Sequence, residues 1–126
     1  MTRDEINRIR ANAVLMKKIA DKIAAIEHII ARRGEDFARK KEYDDLVKSF
    51  NLLAANDKRL ELIELINKSD LTPTQKTTFF DYYISGKQCK KIAETINYSE
   101  SNIFYQLKTA RKLLNIIGDN KTGRGC

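Results

Sequence analysis

The residues best suited to chemistry lie toward the C-terminus: Lys87, Lys90 and Lys91 close together, then Ser101, Tyr105, Lys108, Thr109 and Lys112 at helical spacing. At about 100° per residue these last five share one side of a helix, and none is a carboxylate. Lysine ammonium groups neutralise phosphates, and hydroxyl groups hydrogen-bond base edges, so the pattern suits the groove of a nucleic acid duplex. The same face would also serve as an ordinary solvated surface, so its surroundings decide what it means.

Catalytic chemistry finds little material. His28 is the single histidine and stands beside Ile26, Ile29 and Ile30, as a packed or flanking surface residue does. No histidine pair, glycine-rich phosphate loop or Ser-His-Asp set can be assembled. Asp44 and Asp45 read as a solvated acidic pair. Cys89 and Cys126 offer neither a zinc-type spacing nor a disulfide framework. The expectation is a non-enzymatic chain with no metal and no cofactor.

Charge points the same way. The chain of 126 residues carries a formal net charge of +7, and residues 71–126 hold nine Lys and Arg against four Asp and Glu, compared with 15 against 13 before them. A basic excess gathered in one segment favours a phosphate-bearing partner. The charged N-terminus, with Arg3, Asp4, Glu5, Arg8 and Arg10, and the lack of any apolar stretch of spanning length predict no signal peptide, no membrane partner and a cytoplasmic location.

The elements that must position the basic face are predicted to be helices throughout. The fold class is all-α: with one proline and five glycines, long N-terminal amphipathic helices precede a C-terminal helix-turn-helix. A first helix from about Asp4 to Arg33 carries the heptad seam Ile9, Met16, Ile19, Ile23, Ile26 and Ile30, which fits either a helix of the same chain or the seam of a homodimer. Asn12 stands where the seam expects an apolar residue. Gly34, after Arg32 and Arg33, ends that helix.

A second helix should run from about Asp36 to Ala55, with Tyr43, Leu46, Val47, Phe50 and Leu53 on one face. A third, capped by Asn56 or Asp57, carries Leu60, Ile63 and Ile66 and ends near Lys68. From Asp70 the sequence changes character: Thr72, Pro73 and Gln75 form a helix start with a hydroxyl cap, an early proline and a returning amide. Phe79, Phe80, Tyr83 and Ile84 give that helix its apolar face, and Gly86 stops it. A short helix from about Gln88 to Ile96, a turn at Asn97 and Tyr98, and a last helix from the Ser99 cap to about Ile117 complete the order. In the last helix Ile103, Leu107, Ala110 and Leu114 form the packing face. The expected division is thus 1–69 for assembly or partner contact, 70–117 for DNA, and a loose tail over 118–126.

The stretches Leu71-Thr-Pro-Thr-Gln75, Tyr82-Tyr-Ile-Ser-Gly86, Ile92-Ala-Glu94, Tyr98-Ser-Glu-Ser-Asn-Ile103 and Thr109-Ala-Arg-Lys-Leu-Leu114 together resemble the fourth conserved region of bacterial sigma factors. They look still more like phage-encoded transcriptional regulators that join this module to a helical extension. The resemblance covers about Asp70 to Leu114 and implies a transcriptional role, with the last helix in the major groove of double-stranded DNA. It implies Ser99 as the cap, Glu100 and Ser101 as early groove residues, Tyr105 as a central reader, and Lys108 and Arg111 as backbone contacts. Lys90 and Lys91 join Thr109 and Lys112 at the same duplex. The chain departs from its relatives at Tyr82, where arginine is common, at Cys89, where an aromatic is common, and at Lys91, where glutamate is common. The resemblance also allows a second reading, in which the module grips RNA polymerase or another protein without reading DNA.

Overall fold

The computed structural model describes residues 1–116. The expected tail over 118–126, and the last residue of the 70–117 segment, lie outside the described residues. Those described are all-helical, without a strand. In chain order they form α1 (Arg3–Arg33), α2 (Phe37–Ala55), α3 (Arg59–Lys68), α4 (Pro73–Phe79), a π-helical turn (Phe80–Ile84), α5 (Cys89–Ile96) and α6 (Glu100–Leu113).

Local chemistry explains the boundaries. The Glu5 backbone N–H donates to the Thr2 hydroxyl at 3.2 Å while the Thr2 N–H donates to the Glu5 carboxylate at 2.8 Å, so two orphan donors of α1 are satisfied reciprocally. The same pair recurs at Thr72 and Gln75, with Pro73 in the first turn of α4. Asp36 caps α2 by accepting from the Arg39 N–H at 2.8 Å. At the other end of α1, Gly34 takes a φ of +85° just after Arg32 and Arg33.

Lys58 reaches back from the start of α3 to pair with Glu5. This hydrogen bond, followed by the Thr2 backbone N–H, holds the Glu5 carboxyl down from 4.5 to about 2. A carboxyl with a lowered folded-state value contributes stability that is complete above the unfolded value and is lost as pH falls through the folded one. The melting-temperature difference between the native chain and Glu5→Gln should therefore hold steady above about pH 5 and vanish near about pH 2. Because the site is solvent-exposed, salt should shrink that difference. A difference that ignored both pH and salt would remove the ion pair from the account.

One core ties α1 to the helices from α3 onward. Ile6 and Ile9 from α1, Leu62 and Ile66 from α3, Phe79 and Tyr83 from α4 and its π turn, Ile92 from α5, and Ile103 and Leu107 from α6 are essentially water-free and belong to one cluster. The Phe79 and Tyr83 rings lie 4.6 Å apart between centroids, and Tyr82 meets Tyr83 edge-on at 4.9 Å. The chain turns at Asp70, but the core does not divide there.

Several expected faces shift once packing is seen. On α3 the buried pair is Leu62 and Ile66, four residues apart, while Leu60 is 81% exposed. Beyond α4, Phe79, Tyr82 and Tyr83 point inward at i, i+3 and i+4, and Phe80 turns toward solvent. The Ser85 N–H bonds the Phe80 carbonyl at 3.1 Å, so the last turn of this segment is wide.

Of the two partners open to the seam Ile9, Met16, Ile19, Ile23, Ile26 and Ile30, the structure supplies the one within the same chain and not the homodimer. Ile9 is buried in the common core, and Met16, Ile19 and Ile26 are also buried within the chain, with Ile23 and Ile30 half-buried. Helix α2 folds back on α1, presenting half-buried Tyr43, Leu46, Phe50 and Leu53, so the seam is satisfied internally. Asn12, half-buried, donates its amide to Asp57 at 3.0 Å, and Arg59 holds the same carboxylate at 3.2 Å. That cluster pins the α2–α3 connection beneath α1.

Candidate nucleic-acid interface

Helix α6 is presented by three supports. Ile103, Leu107 and Ala110 set its inner face into the core. Ser99 caps its start by accepting from the Asn102 N–H at 3.1 Å. The preceding Asn97 adopts the left-handed conformation, φ +60°, which asparagine tolerates and which turns the chain sharply out of α5.

The outer face then follows from the helix period. Ser101, Lys108 and Lys112 are exposed, Tyr105 is 64% exposed, and Thr109 is half-buried at the margin. Glu100 is exposed in the first turn, where the helix dipole favours a carboxylate. On α5, Lys90 and Lys91 point outward while Cys89, Ile92 and Ala93 point into the core. The outward residues of α5 and α6 thus combine lysines with hydroxyl and phenol groups, and α6 carries no acid after Glu100.

One expected contact is withdrawn. Arg111 is only 7% exposed, and its Nη1 donates to the Tyr83 hydroxyl at 3.0 Å. It lies about 70° from the middle of the apolar face of α6, near enough for its stem to fold inward. Arg111 is a core residue, not a backbone contact.

Two features fix the α5 end of this surface, one far away in sequence and one just before α5. Arg10, on α1, donates through Nη1 to the carbonyl of Tyr82 at 2.6 Å and of Lys87 at 2.9 Å, and its guanidinium sits 3.7 Å from the centre of the Tyr82 ring. Burial pushes the Tyr82 phenol up, against the pull of the Arg10 charge. Beside it Gly86, at φ +71°, lets α1 come so close that a Cβ there would stand 3.0 Å from the Val14 nitrogen and 3.2 Å from Ala13. Sequence periodicity placed Arg10 in a helix but could not name its partner some 70 residues on. The signal for Gly86 was there, read only as a helix stop.

Elsewhere the surface offers less. A groove of about 430 Å³ opens between the start of α1 and the α2–α3 connection, lined by Asp4, Glu5, Arg8 and Asp57 among others, with mixed charge. Among the described residues no three His, Cys, Asp or Glu side chains gather as a metal site, and no helix is long and apolar enough to cross a membrane. Comparison with protein-family models, with curated proteins and with solved structures gave no match.

Proposed function

We propose that this protein is a non-enzymatic, cytoplasmic regulator of transcription that binds double-stranded DNA in a sequence-specific way, of the kind encoded by phages and mobile elements. Helix α6 serves as the reading helix of a helix-turn-helix similar to sigma region four. The observation that carries this reading is the exposed outer face of α6, basic and hydroxyl-rich, set on a rigid core beside the outward lysines of α5. A reading helix needs such a face held by packing on its opposite side.

The roles divide by chemistry. Lys90, Lys91, Lys108 and Lys112 neutralise phosphates and fix position, whereas Ser101, Tyr105 and, at the margin, Thr109 meet base edges. Glu100 can accept from a cytosine amino group, and Ser99 is spent on its cap. No cofactor enters this scheme. A homodimer would hold two such faces on one duplex and raise effective affinity, but its contact would use a surface other than the seam inside α1.

Leu113, 61% exposed on α6, favours a second reading in which RNA polymerase or another protein is the partner and DNA is not read. A competition assay separates the two. Lys90→Ala or Lys108→Ala should weaken binding to all duplexes alike, while Ser101→Ala or Tyr105→Ala should cost about 1–3 kcal/mol of preference for the selected site. If the full chain binds no duplex even at low salt, the protein-partner reading replaces the DNA reading.

A further inference from the structure

We infer that α1 contributes to the duplex contact through Lys17, extending the interface beyond α5 and α6 onto a helix that the sequence assigns to assembly. The inference rests on the proposed DNA reading and adds a residue to it. Helix α1 crosses the α4–α5 connection at close range: Ala13 and Val14 lie against Gly86, and Arg10 is fastened to the carbonyl of Lys87 at 2.9 Å. Lys17 follows Ala13 by four residues and Val14 by three, so it lies on the same flank of α1, one turn past that crossing.

At that point the side chain leaves the core. Ala13 is buried and Lys17 is exposed, so its ammonium lies on the solvent side about one turn from the Gly86 crossing, and Lys87, Lys90 and Lys91, which follow Gly86, are also exposed. In a helix-turn-helix the first of the two helices lies across the phosphate backbone, and this end of α5 would face it. A flexible four-carbon stem carrying a point charge suits a phosphate one step further along the strand. Asp21, a further turn along α1, is acidic and ends the basic flank.

Lys22 provides a matched control. It is an exposed lysine of the same helix, five residues on and so about 140° around the axis, away from the crossing. The test titrates the full chain, Lys17→Ala, Lys22→Ala and Lys108→Ala against a mixed-sequence duplex of about 20 base pairs over a range of salt. Lys17→Ala should lose about five- to tenfold in affinity at 0.1 M salt and flatten the slope of log affinity on log salt by about 0.9. Lys22→Ala should stay within about twofold, because screening at this ionic strength mutes a charge that touches no phosphate. If Lys17→Ala and Lys22→Ala behave alike while Lys108→Ala weakens binding, the α1 contact is overturned and the DNA reading stands. If the unmodified chain binds no duplex at low salt, both are overturned.

Discussion

Replacing Gly86 by valine should destabilise the protein by about 4 kcal/mol, a large share of the roughly 5–15 kcal/mol that holds a domain of this size together. Two costs add. The backbone there has φ +71°, a region where a β-branched side chain is strained. The new Cβ would also stand 3.0 Å from the backbone nitrogen of Val14, which cannot swing aside as a long side chain could. Gly86→Asn separates the terms, because asparagine accepts positive φ but carries the same Cβ. Urea unfolding should rank the native chain above Gly86→Asn, and Gly86→Asn above Gly86→Val. Since α1 and the α4–α5 connection would part at this point, amide exchange should also rise around Ala13 and Lys87 before the chain unfolds globally. A valine variant with the native midpoint would mean that α1 is not seated here.

The elements themselves were legible because their signals are local. Capping pairs such as Thr72 with Gln75, the Gly34 break and the Ser99 start are short-range chemistry, and the structure has each of them in place. Which face of an element turns inward depends on what lies opposite, and there sequence reasoning slipped by two positions. Leu60 gave way to Leu62, and Phe80 to Tyr82, because α1 and α3 approach from a direction that no single helix encodes.

The heptad seam is the clearest case of a pattern that underdetermines its partner. A stripe of isoleucines every three or four residues says only that something apolar covers it. Tyr43, Leu46, Phe50 and Leu53 lie close enough in the chain to do so through a short connection, and the hairpin forms within one molecule. The first turns of the same stripe, Ile6 and Ile9, instead serve the C-terminal helices, which a division at residue 70 could not anticipate. A fragment confined to residues 70–117 would lose Ile6 and Ile9 from the core cluster that holds Phe79 and Tyr83 and expose part of it, so tests of the interface belong on the full chain.

The outer face of α6 was legible because it needs only the helix period and the polar character of its residues. Arg111 was misread for the opposite reason: its contact role came from the resemblance, although on the wheel it lies only about 40° from Leu107 of the packing face. Removing it gives the second large effect. Arg111→Ala should destabilise the chain by about 3 kcal/mol, because it strips a packed stem from the core and leaves the buried Tyr83 hydroxyl without the donor now 3.0 Å away.

Tyr83→Phe removes the other half of that bond and should cost less, about 1–2 kcal/mol, since it keeps the ring packed against Phe79 and Tyr82. Adding Tyr83→Phe to Arg111→Ala should then cost almost nothing further, and that non-additivity is the signature of direct coupling. Duplex binding supplies the decisive contrast. A core arginine leaves the salt slope of the folded variant unchanged, whereas a phosphate contact would flatten it by about 0.9. A flattened slope with native stability would return Arg111 to the interface and require its side chain to leave the core on binding.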